Sequence, residues 1–291
     1  MKPISFAYLT PKTVKETIGL LEQYGDEIKV LAGGQSLVPM LNFRVARPKY
    51  LVDINGIREL EYIREEKGEI VIGALTREWA VEKSPLVREK CPILPKAISY
   101  IGHLPIRTRG TFGGSLVHAD PSAELPIMAC VLDAKMKMVG PAGERVLSAG
   151  DFFVTYLTSA LEATEILVEV RIPVFAAHTG WSFMELSRRH GDFAIVAVAS
   201  LLTMGEKSVC QKAKIALGGV APTPIRAKAA EDLLTGKPIT EALMTEAGVQ
   251  AAEATEPESD YHASAEYRKD MARVYTVRSL KKAWNMIKGG K

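Results

Sequence analysis

Ile28-Lys29-Val30-Leu31-Ala32-Gly33-Gly34-Gln35-Ser36-Leu37 is the stretch that decides the fold of the N-terminal region. A short apolar run stops at a glycine pair, and Ser36 to Arg44 then has helical texture, with Pro39 tolerated near its start. Leu51-Val52-Asp53-Ile54 is the next apolar run, so strand, glycine turn, helix and strand read as a βαβ unit. Upstream, Thr10 and Pro11 read as the N-cap and first position of a helix carrying Val14, Ile18, Leu20 and Leu21, which Gly25 ends. A glycine turn of this kind lets successive backbone N–H groups converge on an anion.

Gly110-Thr111-Phe112-Gly113-Gly114-Ser115 repeats the signature, and Ala123 to Leu132 after it reads as a buried helix. Two anion-receptive turns suit the pyrophosphate of a dinucleotide; the plain alternative is two tight turns. Between them, Ile70–Gly73 reads as a strand, and Arg77–Glu82 and Cys91–Tyr100 as helical. Lys135–Val139 and Ile166–Ile172 alternate apolar and polar residues as half-buried strands do, and Pro173 stops the second. The texture changes near Gly180. Strands are expected at Trp181–Ser187, Ala194–Met204 and Lys212–Leu217, then helices at Ala227–Leu234, Thr240–Ala254 and Ala263–Ile287. Strands followed by helices point to an α+β module distinct from the first half.

Composition mainly excludes. The 291 residues carry 37 Lys plus Arg against 34 Asp plus Glu, a net charge of +3 with no dense basic stretch, which argues against nucleic acid as a partner. Cys91, Cys130 and Cys210 lie far apart with no C-x-x-C, so a disulfide framework and a cluster site within this chain are both unsupported. No run of eighteen apolar residues and no secretory leader is present, and the expected location is the cytoplasm. Dinucleotide G-x-G-x-x-G, P-loop, H-E-x-x-H and G-x-S-x-G signatures are all missing. His118 and Asp120 read as an acid–imidazole pair or as ordinary loop hydrogen bonding. Arg107 and Arg109 read as phosphate contacts or as a solvated face. Ser187 to Phe193 is either a solvated hairpin or a ligand loop with Phe193 as a planar surface. No catalytic side chain is nominated.

Together, Ala32-Gly33-Gly34-Gln35-Ser36-Leu37 and Thr111-Phe112-Gly113-Gly114-Ser115 resemble the paired flavin loops of the FAD-binding medium subunit of molybdenum hydroxylases. The type is that of the carbon monoxide dehydrogenase medium chain, related to the FAD domain of xanthine dehydrogenase. The resemblance continues in order through His118-Ala119-Asp120-Pro121, Glu124-Leu125-Pro126, Arg188-Arg189-x-Gly191-Asp192-Phe193-Ala194 and Ser264-Ala265-Glu266-Tyr267-Arg268. It implies an α+β protein: two N-terminal α/β subdomains at 1–55 and 56–177 form an FAD-binding fold. A C-terminal domain at 178–291 adds a small antiparallel sheet and a helical bundle.

The resemblance also implies non-covalent FAD. Leu31 to Leu37 and Thr111 to Ser115, with Gly113 and Gly114 at the centre, would hold its pyrophosphate, mainly through backbone N–H groups. Glu124 would meet ribityl or ribose hydroxyls. Ile101, Gly102, Ile166 and Phe183 would pass near the flavin, and Phe193 would lie against its ring face. Met184 stands where the xanthine dehydrogenase branch has Lys. Iron–sulfur clusters and molybdopterin would belong to partners, a small [2Fe-2S] subunit and a large molybdopterin subunit, assembled as a dimer of heterotrimers. The implied activity is that of an oxidoreductase subunit, passing electrons from the partner's cluster through flavin to an external acceptor. Two alternatives stand beside it. One is a self-sufficient reductase resembling UDP-N-acetylenolpyruvylglucosamine reductase, against which Ser264 to Arg268 argues. The other is a non-enzymatic nucleotide-binding assembly module.

Overall fold

The computed structural model describes residues 1–205 and 209–289. The N-terminal region runs β1 (Ala7–Leu9), α1 (Val14–Tyr24), β2 (Ile28–Leu31), α2 (Leu37–Asn42) and β3 (Tyr50–Asp53). Its strands form a parallel sheet in the order β1-β3-β2. Thr13, not Thr10, caps α1: its hydroxyl accepts the Glu16 N–H at 3.1 Å, while the Glu16 carboxylate reaches back to the Lys12 N–H at 2.6 Å. The two bonds engage the Lys12 and Glu16 N–H groups at the entry to the helix, which Thr10-Pro11 alone cannot do. Helix α2 is shorter than its sequence suggests, because Arg44 turns left-handed (φ +58°) and closes it. Leu21, Ile28, Val52, Ile54, Ile57 and Leu60 pack with Leu75, Ile166 and Val168 from further along the chain. The βαβ unit therefore has no sealed core of its own; it is buried by docking.

The central region holds β4 (Ile63–Glu66), β5 (Glu69–Gly73), α3 (Glu78–Lys83), α4 (Pro85–Lys90), α5 (Ile93–Ile98), α6 (Leu104–Arg107), α7 (Phe112–His118) and α8 (Glu124–Val131). There follow β6 (Lys135–Gly140), β7 (Gly143–Ser148), α9 (Ala149–Phe152), β8 (Phe153–Thr155), β9 (Thr158–Ser159) and β10 (Ile166–Pro173). An antiparallel sheet in the order β4-β5-β10-β6-β7 organises them. Every residue of α8 is buried, so this helix shows no polar stripe and is covered on all sides.

The C-terminal region consists of β11 (Thr179–Leu186), β12 (Val196–Met204), β13 (Cys210–Gly218), β14 (Ile225–Arg226), α10 (Lys228–Leu234), α11 (Glu241–Glu253) and α12 (Ala265–Gly289). Its antiparallel sheet, β11-β12-β13-β14, is apolar on both faces. Ala197, Ala199 and Leu201 join the central core, whereas Val196, Val198 and Leu202 join the core under the C-terminal helices. The period of two explains why β12 reads as a continuous apolar run. Helix α12 lies so close to β11 that a Cβ on Gly180 would fall 2.1 Å from the Ala283 carbonyl oxygen.

Two arginines tie the C-terminal region together and to its neighbour. Arg226 donates to the Cys130 carbonyl (3.0 Å), Asp133 (2.7 Å) and both oxygens of Glu231 (2.6 and 2.8 Å). Arg268, in the Ser264–Arg268 stretch, donates to the carbonyls of Ile195 and Gly219, both at 2.8 Å, and to Asp260 at 2.8 Å. That stretch does structural work. No helix among the described residues is long and apolar enough to cross a membrane.

Candidate functional site

The loop after β2 presents backbone donors. Leu31 closes the strand, its carbonyl accepting from Ile54 at 3.1 Å. Gly34 then turns left-handed (φ +73°), a conformation that favours glycine. Among the described residues the N–H groups of Gln35, Ser36 and Leu37 donate to no backbone or side-chain acceptor; the chain resumes helical bonding only with Val38 to the Gly34 carbonyl at 3.0 Å. Ser36 stands at the N-cap of α2 without a capping bond. The Gln35 side chain folds back onto the Gly33 carbonyl at 2.9 Å, which stiffens the loop from within.

The second glycine segment differs from its sequence reading. It is the first turn of α7, not a free turn. The Thr111 hydroxyl caps the helix by accepting the Gly114 N–H at 3.2 Å. Phe112 donates to the Thr76 carbonyl (2.9 Å), Gly113 to the Ala74 carbonyl (2.8 Å) and Ser115 to the Thr111 carbonyl (3.2 Å). The donors of residues 112–115 thus all have acceptors within the protein. What the segment retains is the Ser115 hydroxyl; Thr111 is buried and its hydroxyl already caps the helix. Its glycines serve close approach: a Cβ on Gly113 would lie 2.6 Å from the Ala74 Cβ.

The two segments touch. A Cβ on Gly33 would fall 2.6 Å from the Arg109 carbonyl oxygen and 2.9 Å from the Gly110 Cα, and one on Gly114 would lie 3.8 Å from the Ala32 Cβ. Residues that no sequence motif marks hold this contact. Arg77 donates to the Arg109 carbonyl at 2.6 Å and to the Asn55 side-chain oxygen at 2.7 Å, and the Asn55 amide donates to the Ala32 carbonyl at 2.8 Å. Each partner is distant in sequence, so only the fold reveals them.

The remaining expected residues divide. Arg107 donates to the Ile101 and Gly102 carbonyls at 2.9 and 3.3 Å and pairs with Glu82 at 3.0 Å, fixing that segment beside α3. The loop before β12 reaches it, since a Cβ on Gly191 would lie 2.9 Å from the His103 Cε1 and 3.3 Å from the Gly102 carbonyl. Phe193, in this loop, is 68% exposed and lines a cavity of about 470 Å³ with Arg188, Tyr261 and His262. By contrast Phe183 and Ile166 are core side chains: Phe183 packs edge-on against Tyr100, and Ile166 lies in the core under the N-terminal sheet. Neither side chain faces an open surface. Met184, next along β11, is half-buried.

Glu124, the first residue of α8, is buried among other acids. Burial, then the neighbouring Glu185, with Glu78 and Asp120, push its carboxyl well up. Burial pushes Glu78 up to about 8 against the opposing charge of Arg107, and Glu185 up to about 7 against a hydrogen bond from Ser187. One oxygen each of Glu78 and Glu185 has no hydrogen-bond partner among the described residues. Carboxyls so placed cannot all ionise, and a neutral carboxylic acid both donates and accepts hydrogen bonds. The set suits a polyol better than a cation.

Comparisons with known proteins bear on the fold that carries these segments. Residues 4–175 match the family described as FAD binding domain in molybdopterin dehydrogenase, and residues 181–283 match the CO dehydrogenase flavoprotein C-terminal domain. The chain is 41% identical to the 6-hydroxypseudooxynicotine dehydrogenase complex subunit alpha of Paenarthrobacter nicotinovorans, covering 97% of this chain and 96% of that protein. It is 39% identical to the carbon monoxide dehydrogenase medium chain of Hydrogenophaga pseudoflava, over 98% and 99% of the two chains. The solved carbon monoxide dehydrogenase from that organism superposes with a TM-score of 0.96 at 40% identity, covering 98% of this chain and 99% of that one. Quinoline 2-oxidoreductase from Pseudomonas putida 86 superposes with a TM-score of 0.93 at 39% identity, covering 99% and 100%. A free-standing reductase and a non-enzymatic module both give way to this full-length likeness. Fold, paired glycine segments and relatives agree: the chain belongs to the FAD-binding flavoprotein subunits of molybdopterin dehydrogenases, of the carbon monoxide dehydrogenase medium-chain type.

Proposed function

We propose that this chain takes electrons from an iron–sulfur cluster on a partner subunit and delivers them, through non-covalently bound FAD, to an external acceptor. FAD supplies the chemistry, since flavin accepts electrons singly and releases them in pairs. The chain's own part is to bind and orient. The N–H groups of Gln35, Ser36 and Leu37, with the Ser36 and Ser115 hydroxyls, face the pyrophosphate in this reading. Glu124, whose carboxyl burial pushes well up, meets ribityl or ribose hydroxyls in this reading. The Ile101–Gly102 segment and the Phe193 loop would lie along the flavin ring. No side chain is required as acid or base, and none is assigned that role.

The observation that carries this reading is the contact of the two glycine segments at Gly33, beside three backbone donors with no acceptor among the described residues. The relatives' names, a dehydrogenase "complex subunit alpha" and a "medium chain", support work within a larger assembly. We assign it a small [2Fe-2S] subunit and a large molybdopterin subunit, in a dimer of heterotrimers. The substrate would bind the large subunit. Three free, buried cysteines support a reducing compartment such as the cytoplasm.

The test begins with the purified chain. Absorption in the blue and FAD among the released small molecules are expected; FMN, or no flavin after reconstitution, overturns the cofactor assignment. Co-expression with the two partner subunits is expected to give a single complex on size exclusion, and a persistent monomer removes the relay role.

A further inference from the structure

We propose that Asn55 and Arg77 are positioning residues for the cofactor cradle: together they form one strut that sets the spacing between the two glycine segments. The inference rests on the proposed FAD cradle and goes beyond it, because neither residue belongs to the glycine segments or to any motif of the sequence.

The strut runs between two carbonyls. At one end the Asn55 amide donates to the Ala32 carbonyl at 2.8 Å, one residue before the Gly33-Gly34 turn. At the other, the Arg77 guanidinium donates to the Arg109 carbonyl at 2.6 Å, one residue before Gly110. Arg77 and Asn55 meet in the middle, nitrogen to side-chain oxygen, at 2.7 Å. The base of the strut is also fixed. Asp53 accepts from the Asn55 N–H at 2.9 Å and from its amide at 2.6 Å, and the Tyr8 hydroxyl binds the other Asp53 oxygen. Burial alone would raise the Asp53 carboxyl; the bonds from Tyr8 and Asn55 and the charge of Arg77 outweigh it and hold the group below its ordinary value. An ionised Asp53 is thus available to orient Asn55.

Three features make this a device for spacing. The strut binds the carbonyl side of each segment, which leaves the N–H groups of Gln35, Ser36 and Leu37 unobstructed. It joins elements of two regions, the end of β3 and the start of α3, at the point where the Gly33 backbone meets Arg109 and Gly110. A planar guanidinium serves two acceptors in a fixed fork, which a lysine ammonium on a flexible stem does not reproduce. A bidentate strut therefore fixes distance as well as contact.

The experiment is an FAD titration of the apo chain and four variants: Asn55→Ala, Arg77→Met, the double variant and Arg77→Lys. Each single loss is expected to weaken FAD binding by about tenfold, the usual scale for a hydrogen bond to a charged group. The double variant should bind no more than about threefold worse than the weaker single, because removing either end breaks the same strut. Arg77→Lys should fall between wild type and Arg77→Met. The apo thermal midpoints should stay within about 3 °C of wild type, since these hydrogen bonds are at the surface. Wild-type binding with single variants within twofold of it, or losses that multiply in the double variant, overturns the strut alone. A wild-type chain that binds no FAD overturns the cradle, and the strut with it.

Discussion

The two glycine segments carry nearly the same letters and do different physical work. After β2, Gly33-Gly34 opens a loop with a left-handed glycine and backbone donors that no group among the described residues satisfies. After Gly110, Gly113-Gly114 sits in the first helical turn of α7 with its donors already used. In the proposed reading the first glycine pair is a cradle and the second a buttress. Glycine serves the former by its conformational freedom and the latter by its lack of bulk. A shared signature in sequence therefore does not entail a shared conformation.

The division can be broken at its contact point. Gly33→Val drives a branched side chain into the Arg109 carbonyl and the Gly110 backbone, so the segments must part. FAD affinity is expected to fall by about a hundredfold or more, the scale of overpacking against unyielding backbone. Titration with FAD reads it directly, and a variant within threefold of wild type contradicts the contact.

Gly113→Val probes the buttress. Its Cβ would strike Ala74, both side chain and carbonyl, and the cost is expected mainly in stability, about 1–3 kcal/mol by urea unfolding. FAD affinity of the folded fraction should fall less than for Gly33→Val. Unchanged stability with lost binding would make the second segment a cradle too.

The acids beneath the segments give a pH signature. Glu78 and Glu185 hold their protons to about pH 8 and pH 7 in the fold, against an ordinary value of 4.5. A raised carboxyl stabilises the fold fully below its unfolded value, and that contribution fades as pH rises through the folded one. The apo chain should lose stability between about pH 5 and pH 8. Glu78→Gln should flatten that loss, which urea midpoints at stepped pH would show; an unchanged slope removes Glu78 as its source.

Ser36→Ala is the mildest change. Its hydroxyl makes no capping bond, so stability should move by less than about 0.5 kcal/mol. FAD binding should weaken about threefold to tenfold if the hydroxyl meets phosphate. A stability loss with intact binding would instead make Ser36 part of the buttress.

Local pattern made much of this legible. The βαβ unit, the wholly buried α8 and the apolar β12 follow from runs and periods within a few residues. The second glycine segment reads as a free turn because glycine disfavours helix interiors, whereas close packing on Ala74, far away in sequence, overrides that preference. Thr10-Pro11 reads as a helix start because both residue types suit one, yet the Thr13–Glu16 pair satisfies more donors. Asn55 and Arg77 carried no signal, since a strut between distant carbonyls has no spacing rule. The same holds for Glu78, Glu124 and Glu185, which converge from three elements. Phe183 and Ile166 came from likeness alone, and their side chains turn into the core.

The central claim is that the first glycine loop receives a dinucleotide pyrophosphate. Its most direct test is titration of the apo chain with FAD and with FMN under the same conditions. Saturable binding of one FAD per chain, with FMN at least tenfold weaker for want of the pyrophosphate and adenosine, is the predicted result. Equal affinity for the two flavins, or no binding of either, would contradict it.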